Sequence, residues 1–273
     1  MNNLEPINSV KNYQFGIGRA FFLTIIATTA MQVVGGIVSL PAIYYKVLNH
    51  VVMPLGFLIG IICAIATLLG LIKGNLIPVL QDIKRKITFT EIIISIFLWI
   101  GMLPLCELLT SLIPTEGGFL GDLYQQFTEI FMQTLDYKVA GFITICILAP
   151  IFEEIVFRGI ILKGMLNNPK IHPMIAILFG GIFFGFAHLN PWQFIGAGLL
   201  GCVFGYVYYR TKSLVIPMVL HAINNIISYS IMIQNQDMEE MVFNTSDYVS
   251  ISIFAVLGII MGILLYRVTQ KKV

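Results

Sequence analysis

Residues 139–165 read VAGFITICILAPIFEEIVFRGIILKGM. The run is apolar at most positions and longer than the ~20 residues an α-helix needs to cross the hydrocarbon core of a bilayer. Glu153, Glu154 and Arg158 nevertheless stand in its second half. A carboxylate at bilayer depth costs at least ~2.5–3.5 kcal/mol on insertion scales, so it is expected to face a cavity or a partner. The stretch therefore reads as a membrane helix built to hold ionisable groups.

Outward from this segment the same apolar character continues. Of 273 residues, 58% are hydrophobic and only 11% charged, and mean hydropathy is +0.89. Soluble domains carry about 25% charged residues, so a soluble all-α protein with an unusually large core is rejected. The chain is read as all-α, a polytopic transmembrane helical bundle of about eight spans: 17–40, 51–73, 88–113, 139–165, 172–190, 193–210, 213–234 and 248–268. Three spans and a surface linker fill 1–138. A four-helix core follows at 139–234, then a loop and last span at 235–273. The polar first 20 residues, with Glu5 and Pro6, lead into an apolar run too long for a signal core, so the first span is expected to be an uncleaved anchor. Cys63, Cys106, Cys146 and Cys202 lie within apolar segments without zinc-type spacing and read as small core residues. The formal net charge of +2 suggests no nucleic-acid partner. A lipid bilayer is the expected surrounding, with the protein multi-pass in the cell membrane.

Charge tests this count. With both termini cytoplasmic, the inside segments hold Lys11, Arg19, Lys73, Lys84, Arg85, Lys86, Lys163, Lys170, Arg210, Lys212, Arg267, Lys271 and Lys272, 13 of the 16 basic residues. Only Lys46 and Lys138 fall outside, and Arg158 lies within a span. That asymmetry is what the positive-inside rule expects. Asp237, Glu239, Glu240 and Asp247 gather on the outside. Linker 114–138 carries Leu120, Leu123, Phe127, Ile130 and Phe131 at near-helical spacing and is expected to form an amphipathic surface helix. Glycine pairs Gly56/Gly60, Gly181/Gly185 and Gly201/Gly205, each four apart, read as helix-packing faces.

Within A-P-I-F-E-E-I-V-F-R-G, residues 149–159, Glu154 and Arg158 are four apart with the acid first, the favoured order for a helical ion pair. Glu153 is about 140° around the helix from Arg158 at ~100° per residue and is left without that partner. An unpaired buried carboxylate is the better general base, since burial raises its pKa toward the operating pH. The alternative is that both glutamates only pin helices by hydrogen bonds. His188 closes F-F-G-F-A-H, and His221 precedes Asn225 by one helical turn in H-A-I-N-N. His50 and His172 read as interfacial. His221 and Asn225 share a face, so imidazole and carboxamide can donate jointly to one oxygen.

The ordered set Glu153-Glu154-x-x-x-Arg158, Phe184-x-x-x-His188 and His221-x-x-x-Asn225, with Pro150 before the first pattern, resembles the CAAX protease and bacteriocin-processing family, which includes the type II CAAX prenyl endopeptidase. The resemblance covers roughly 139–230. It implies an intramembrane endopeptidase that hydrolyses a peptide bond of a membrane-associated protein or peptide. Carried over by position, Glu153 and His188 would activate water, His221 and Asn225 would stabilise the oxyanion, and Glu154 and Arg158 would orient the site. The family is often labelled metalloprotease, and Glu153, His188 and His221 are the residues that could ligate zinc. With no H-E-x-x-H and no evident further ligands, a cofactor-free, glutamate-dependent reaction is favoured.

Two other functions compete. One is a non-catalytic scaffold, immunity or envelope-regulating protein of the same fold. The other is a transporter using Glu153 and His221 as a proton relay, against which the lack of two related halves counts. One expectation fits poorly: Glu153 and His221 fall roughly 12–15 Å from the cytoplasmic ends at 1.5 Å per residue, whereas His188 comes out near the opposite face. Either span five enters deeper, or the turn at 188–193 dips into the membrane.

Overall fold

The computed structural model describes residues 13–235 and 243–270. Glu5, Pro6, Lys11, Asp237, Glu239, Glu240, Lys271 and Lys272 lie outside them. Helices occupy all eight expected positions, and no strand occurs among the described residues. The main helices are α1 Ile17–Ser39, α2 Asn49–Ile72, α3 Ile77–Ile83, α4 Phe89–Ser111 and α5 Gly118–Leu135. There follow α6 Lys138–Leu166, α7 Pro173–Phe186, α8 Pro191–Thr211, α9 Val215–Asn235 and α10 Tyr248–Val268. Six of these, α1, α2, α4, α6, α9 and α10, are long and apolar enough to cross a membrane. Helix α7 has 14 residues; α8 has 21 but is diluted by glycine, tyrosine and Arg210. The linker 114–138 contains the expected helix, α5, and the linker 74–87 the short α3.

Small residues bring the helices together. A β-carbon on Gly60 would lie 2.5 Å from the Met31 carbonyl, so α2 crosses α1 backbone to backbone. A β-carbon on Gly181 would meet the Gly198 carbonyl at 2.6 Å, locking α7 to α8. A contact that no motif announces joins α4 to α10: a β-carbon on Gly101 would stand 2.5 Å from the Gly258 nitrogen. Helix α4 starts at a reciprocal cap in which the Thr88 hydroxyl accepts from Glu91 N and the Glu91 carboxylate accepts from Thr88 N, satisfying two orphan donors.

The bundle has two distinct ends. At one, the Asp82 carboxylate at the end of α3 takes Lys163 from the end of α6 at 2.6 Å and the Tyr208 hydroxyl from the end of α8 at 2.7 Å. The Asp82 carbonyl accepts from Leu214 N, just before α9. Arg19 at the start of α1 donates to Leu71 O at the end of α2, and Arg210 donates to Tyr266 O at the end of α10. At the other end the Tyr229 hydroxyl of α9 donates to Lys138 O at the start of α6. There Trp192, at the start of α8, donates to Pro114 O and packs edge-on against Tyr124 of α5 at 4.8 Å.

Candidate active site

Helix α6 is not a uniform α-helix. Ala149–Glu154 is α-helical but is bracketed by two π-helical stretches, Ile143–Leu148 and Ile155–Leu162. Wider turns of this kind shift backbone hydrogen bonding and often occur at functional sites. Here carbonyls of both stretches take side-chain donors: Ile145 O accepts from Asn225 Nδ2 at 2.8 Å, and Gly159 O from the Tyr13 hydroxyl.

The expected ion pair forms. Arg158 Nη1 stands 2.8 Å from Glu154 Oε1, with Glu154 fully buried and Arg158 2% exposed. His221 Nδ1 lies 3.0 Å from that same oxygen. The guanidinium also donates through Nη2 to Gly201 O at 3.2 Å and sits over the Phe184 ring at 4.3 Å. The His221 ring stacks on Phe204 and meets Phe184 edge-on. Three charged or polar side chains from α6 and α9 are thus enclosed by aromatic faces, where Coulomb interactions are strong.

Glu153 makes no part of that cluster. It is half-buried and lines a cavity of about 650 Å³ together with His188, His221 and Asn225. All four residues singled out for chemistry therefore share one cavity. Glu154 and Arg158 are buried behind it.

His188 is placed differently from expectation. The apolar run 172–190 predicts a span through residue 190, but α7 ends at Phe186, and His188 sits in the turn that follows. Fourteen residues rise about 21 Å, short of the ~30 Å hydrocarbon thickness, so this turn falls within the depth of the bundle. Irregular backbone at such depth must be covered by protein or line a cavity; here His188 lines the cavity, and Trp192, just beyond the turn, packs on Tyr124 of α5. Leu189 takes φ 58°, uncommon for a branched side chain, and the Asn190 side chain caps α8 by accepting from Gln193 N at 2.8 Å. His188 Nδ1 is 2.9 Å from Phe184 O. A carbonyl only accepts, so Nδ1 carries a proton, and Nε2 is the nitrogen left to face the cavity.

The cavity walls extend beyond the 139–234 core. Helix α4 contributes Cys106, Glu107 and Thr110, and α5 contributes Tyr124, Phe127 and Phe131. Glu107, whose carboxylate also accepts from Phe243 N at 2.8 Å, is outside the motif set. Its signal is a carboxylate inside the apolar run 88–113. Among the described residues, no three His, Cys, Asp or Glu side chains are close enough to hold a metal ion together. Glu153, His188 and His221 as placed do not form the zinc site their residue types would allow.

Paired glutamates on α6 and histidines from the turn after α7 and from α9 are thus gathered in one part of the bundle. Comparison bears out the resemblance over the segment concerned: residues 136–227 match the family described as type II CAAX prenyl endopeptidase Rce1-like. The chain is similar to the membrane-embedded CAAX protease MroQ of Staphylococcus aureus (strain USA300), 30% identical over 86 residues. That alignment covers 30% of this chain and 34% of the relative, so the matched region spans about a third of that protein. No solved structure matches. With its six crossing-length apolar helices, the chain is a multi-pass integral membrane protein.

Proposed function

We propose that this protein is an intramembrane endopeptidase cleaving a membrane-associated peptide or protein, with 139–234 as its catalytic core. The supporting observation is the convergence of Glu153, His188, His221 and Asn225 on one cavity from positions spread over three motifs. With this reading goes the topology of eight crossings and cytoplasmic termini, supported by the distribution of lysine and arginine.

In this mechanism a water held between Glu153 and His188 Nε2 attacks the scissile carbonyl carbon. Its proton passes to Glu153, a carbon–oxygen bond forms, and the carbonyl oxygen becomes an oxyanion. His221 and Asn225 donate to that oxygen. Collapse expels the amine, which takes the proton back from Glu153 as the carbon–nitrogen bond breaks. His221 can donate into the cavity only from Nε2, because Nδ1 is turned to Glu154. Glu154 and Arg158 act by positioning His221. The second amide hydrogen of Asn225 remains for the oxyanion while the first is held by Ile145 O.

The test compares wild-type and Glu153→Gln protein in the host membrane by peptide mass spectrometry. The expected result is a set of membrane peptides that accumulates uncleaved in the Glu153→Gln strain, with the protein present at normal level. Full processing in that strain would overturn the assignment of the base.

A further inference from the structure

The position of the cavity along the bundle bears on where its substrate comes from. The contacts described above sort the helix termini into two sets. One end gathers the start of α1, the ends of α2, α6, α8 and α10, the start of α9, and α3. The other gathers the end of α9, the starts of α6 and α8, and α5. Basic residues divide unequally between them. Among the described residues, Arg19, Lys73, Lys84, Arg85, Lys86, Lys163, Lys170, Arg210, Lys212 and Arg267 belong to the first end, and only Lys46 and Lys138 to the second. At this first end burial, followed by the neighbouring Arg210, holds the Lys212 ammonium below its usual range.

The cavity lies in the other half. Its walls come from the last part of α4 (Leu103 to Ser111) and the residues after it (Ile113, Thr115), from one face of α5, from α6 as far as Glu153, from α8 as far as Phe204, from Phe57 of α2, from Phe184 and His188 at the end of α7, and from α9 from His221 onward. Exposed Ser111 and Ser228 border it. None of the residues around it comes from the lysine-rich end.

We infer that the cavity opens on the extracytoplasmic side, so that the substrates it serves are peptide segments presented from that side of the membrane. The basis is the positive-inside rule, which places the lysine-rich end in the cytoplasm. The cavity walls suit an extended chain of that origin. Thr110, Ser111, Gln193, Asn224 and Ser228 offer donors and acceptors to a peptide backbone between apolar stretches of the wall. A cytoplasmic C-terminal tail would approach from the opposite end. This inference rests on the peptidase reading for the word substrate, but the face of the cavity does not.

The experiment separates the two. Full-length protein carrying Thr115→Cys or Lys86→Cys is expressed in intact cells and treated with a membrane-impermeant maleimide, with unsubstituted protein as background for the four native cysteines. Thr115→Cys is expected to label in intact cells, and Lys86→Cys only after permeabilisation. The reverse pattern, or equal labelling of both in intact cells, would overturn the inference. In parallel, a single-span reporter carrying one and the same peptide junction is displayed outside or inside. The outside junction is expected to be cut, and the cut to vanish with Glu153→Gln. Cleavage of only the inside junction would overturn the inference whatever the labelling. Cleavage of neither junction, with the expected labelling, would count against the peptidase reading and leave the face of the cavity established.

Discussion

His221 Nδ1 and Arg158 Nη1 meet on a single oxygen, Glu154 Oε1, at 3.0 and 2.8 Å. Glu154 is fully buried, and its other oxygen has no hydrogen-bond partner among the described residues. The carboxylate is therefore committed to holding two neighbours in place, one on its own helix and one on α9. Removing one partner of a buried pair typically costs ~3–5 kcal/mol, because the survivor is left uncompensated.

Glu154→Gln and Arg158→Gln are accordingly expected to lower the yield of folded, monodisperse protein and its unfolding temperature in detergent. Glu153→Gln, in a half-buried group outside the cluster, should leave both unchanged. Size-exclusion profiles and thermal unfolding of the three variants check this. Equal behaviour of Glu153→Gln and Glu154→Gln would contradict the division between them.

In the proposed reaction Asn225→Ala would remove an oxyanion donor, a loss typically worth 10²–10³ in rate, together with the bond to Ile145 O. The expected result is a fall in kcat with KM little changed, since the donor acts on charge that develops after binding. A change confined to KM would reassign Asn225 to substrate binding.

Chelation tests the chemistry of the base. A zinc hydrolase relies on its ion to lower the pKa of bound water and polarise the carbonyl. The proposed reaction assigns those tasks to Glu153 and to His221 with Asn225. Purified protein is expected to keep most of its activity after o-phenanthroline and dialysis. Stoichiometric zinc, lost with activity and restored with it, would turn Glu153, His188 and His221 into ligands.

Gly101→Val tests the α4–α10 contact. With Gly258 backbone so near, an added side chain must separate the two helices. Overpacking of this kind costs typically 1–3 kcal/mol. A lower unfolding temperature is expected from Gly101→Val and none from Gly70→Val, where the surroundings are open.

Much of the site is legible in the sequence because the bilayer makes every charged residue informative. Glu153, Glu154, Arg158, His188, His221 and Asn225 stand out against apolar surroundings, and the Glu154–Arg158 pair follows from helical spacing alone. The end of α7 does not. The run F-F-G-F-A-H-L stays hydrophobic through Leu189, so hydropathy extends the helix past Phe186; only Asn190 and Pro191, a capping residue and a first-turn proline, mark the restart. The π turns of α6 leave no periodic trace over so short a stretch. The Gly101–Gly258 contact joins residues with no shared motif, and the anchoring role of Asp82 depends on three other chain segments that sequence distance conceals.

The shortness of α7 carries a consequence for the lipid. Met174, Ile175, Leu178, Ile182 and Phe186 are exposed along its 14 residues, and at about 21 Å they cannot match a hydrocarbon layer of ~30 Å. Acyl chains beside α7 must shorten or tilt to avoid wetting mismatched apolar surface. A bilayer thinned beside α7 would bring interfacial water toward the turn that holds His188, where the proposed hydrolysis would consume one water molecule per bond.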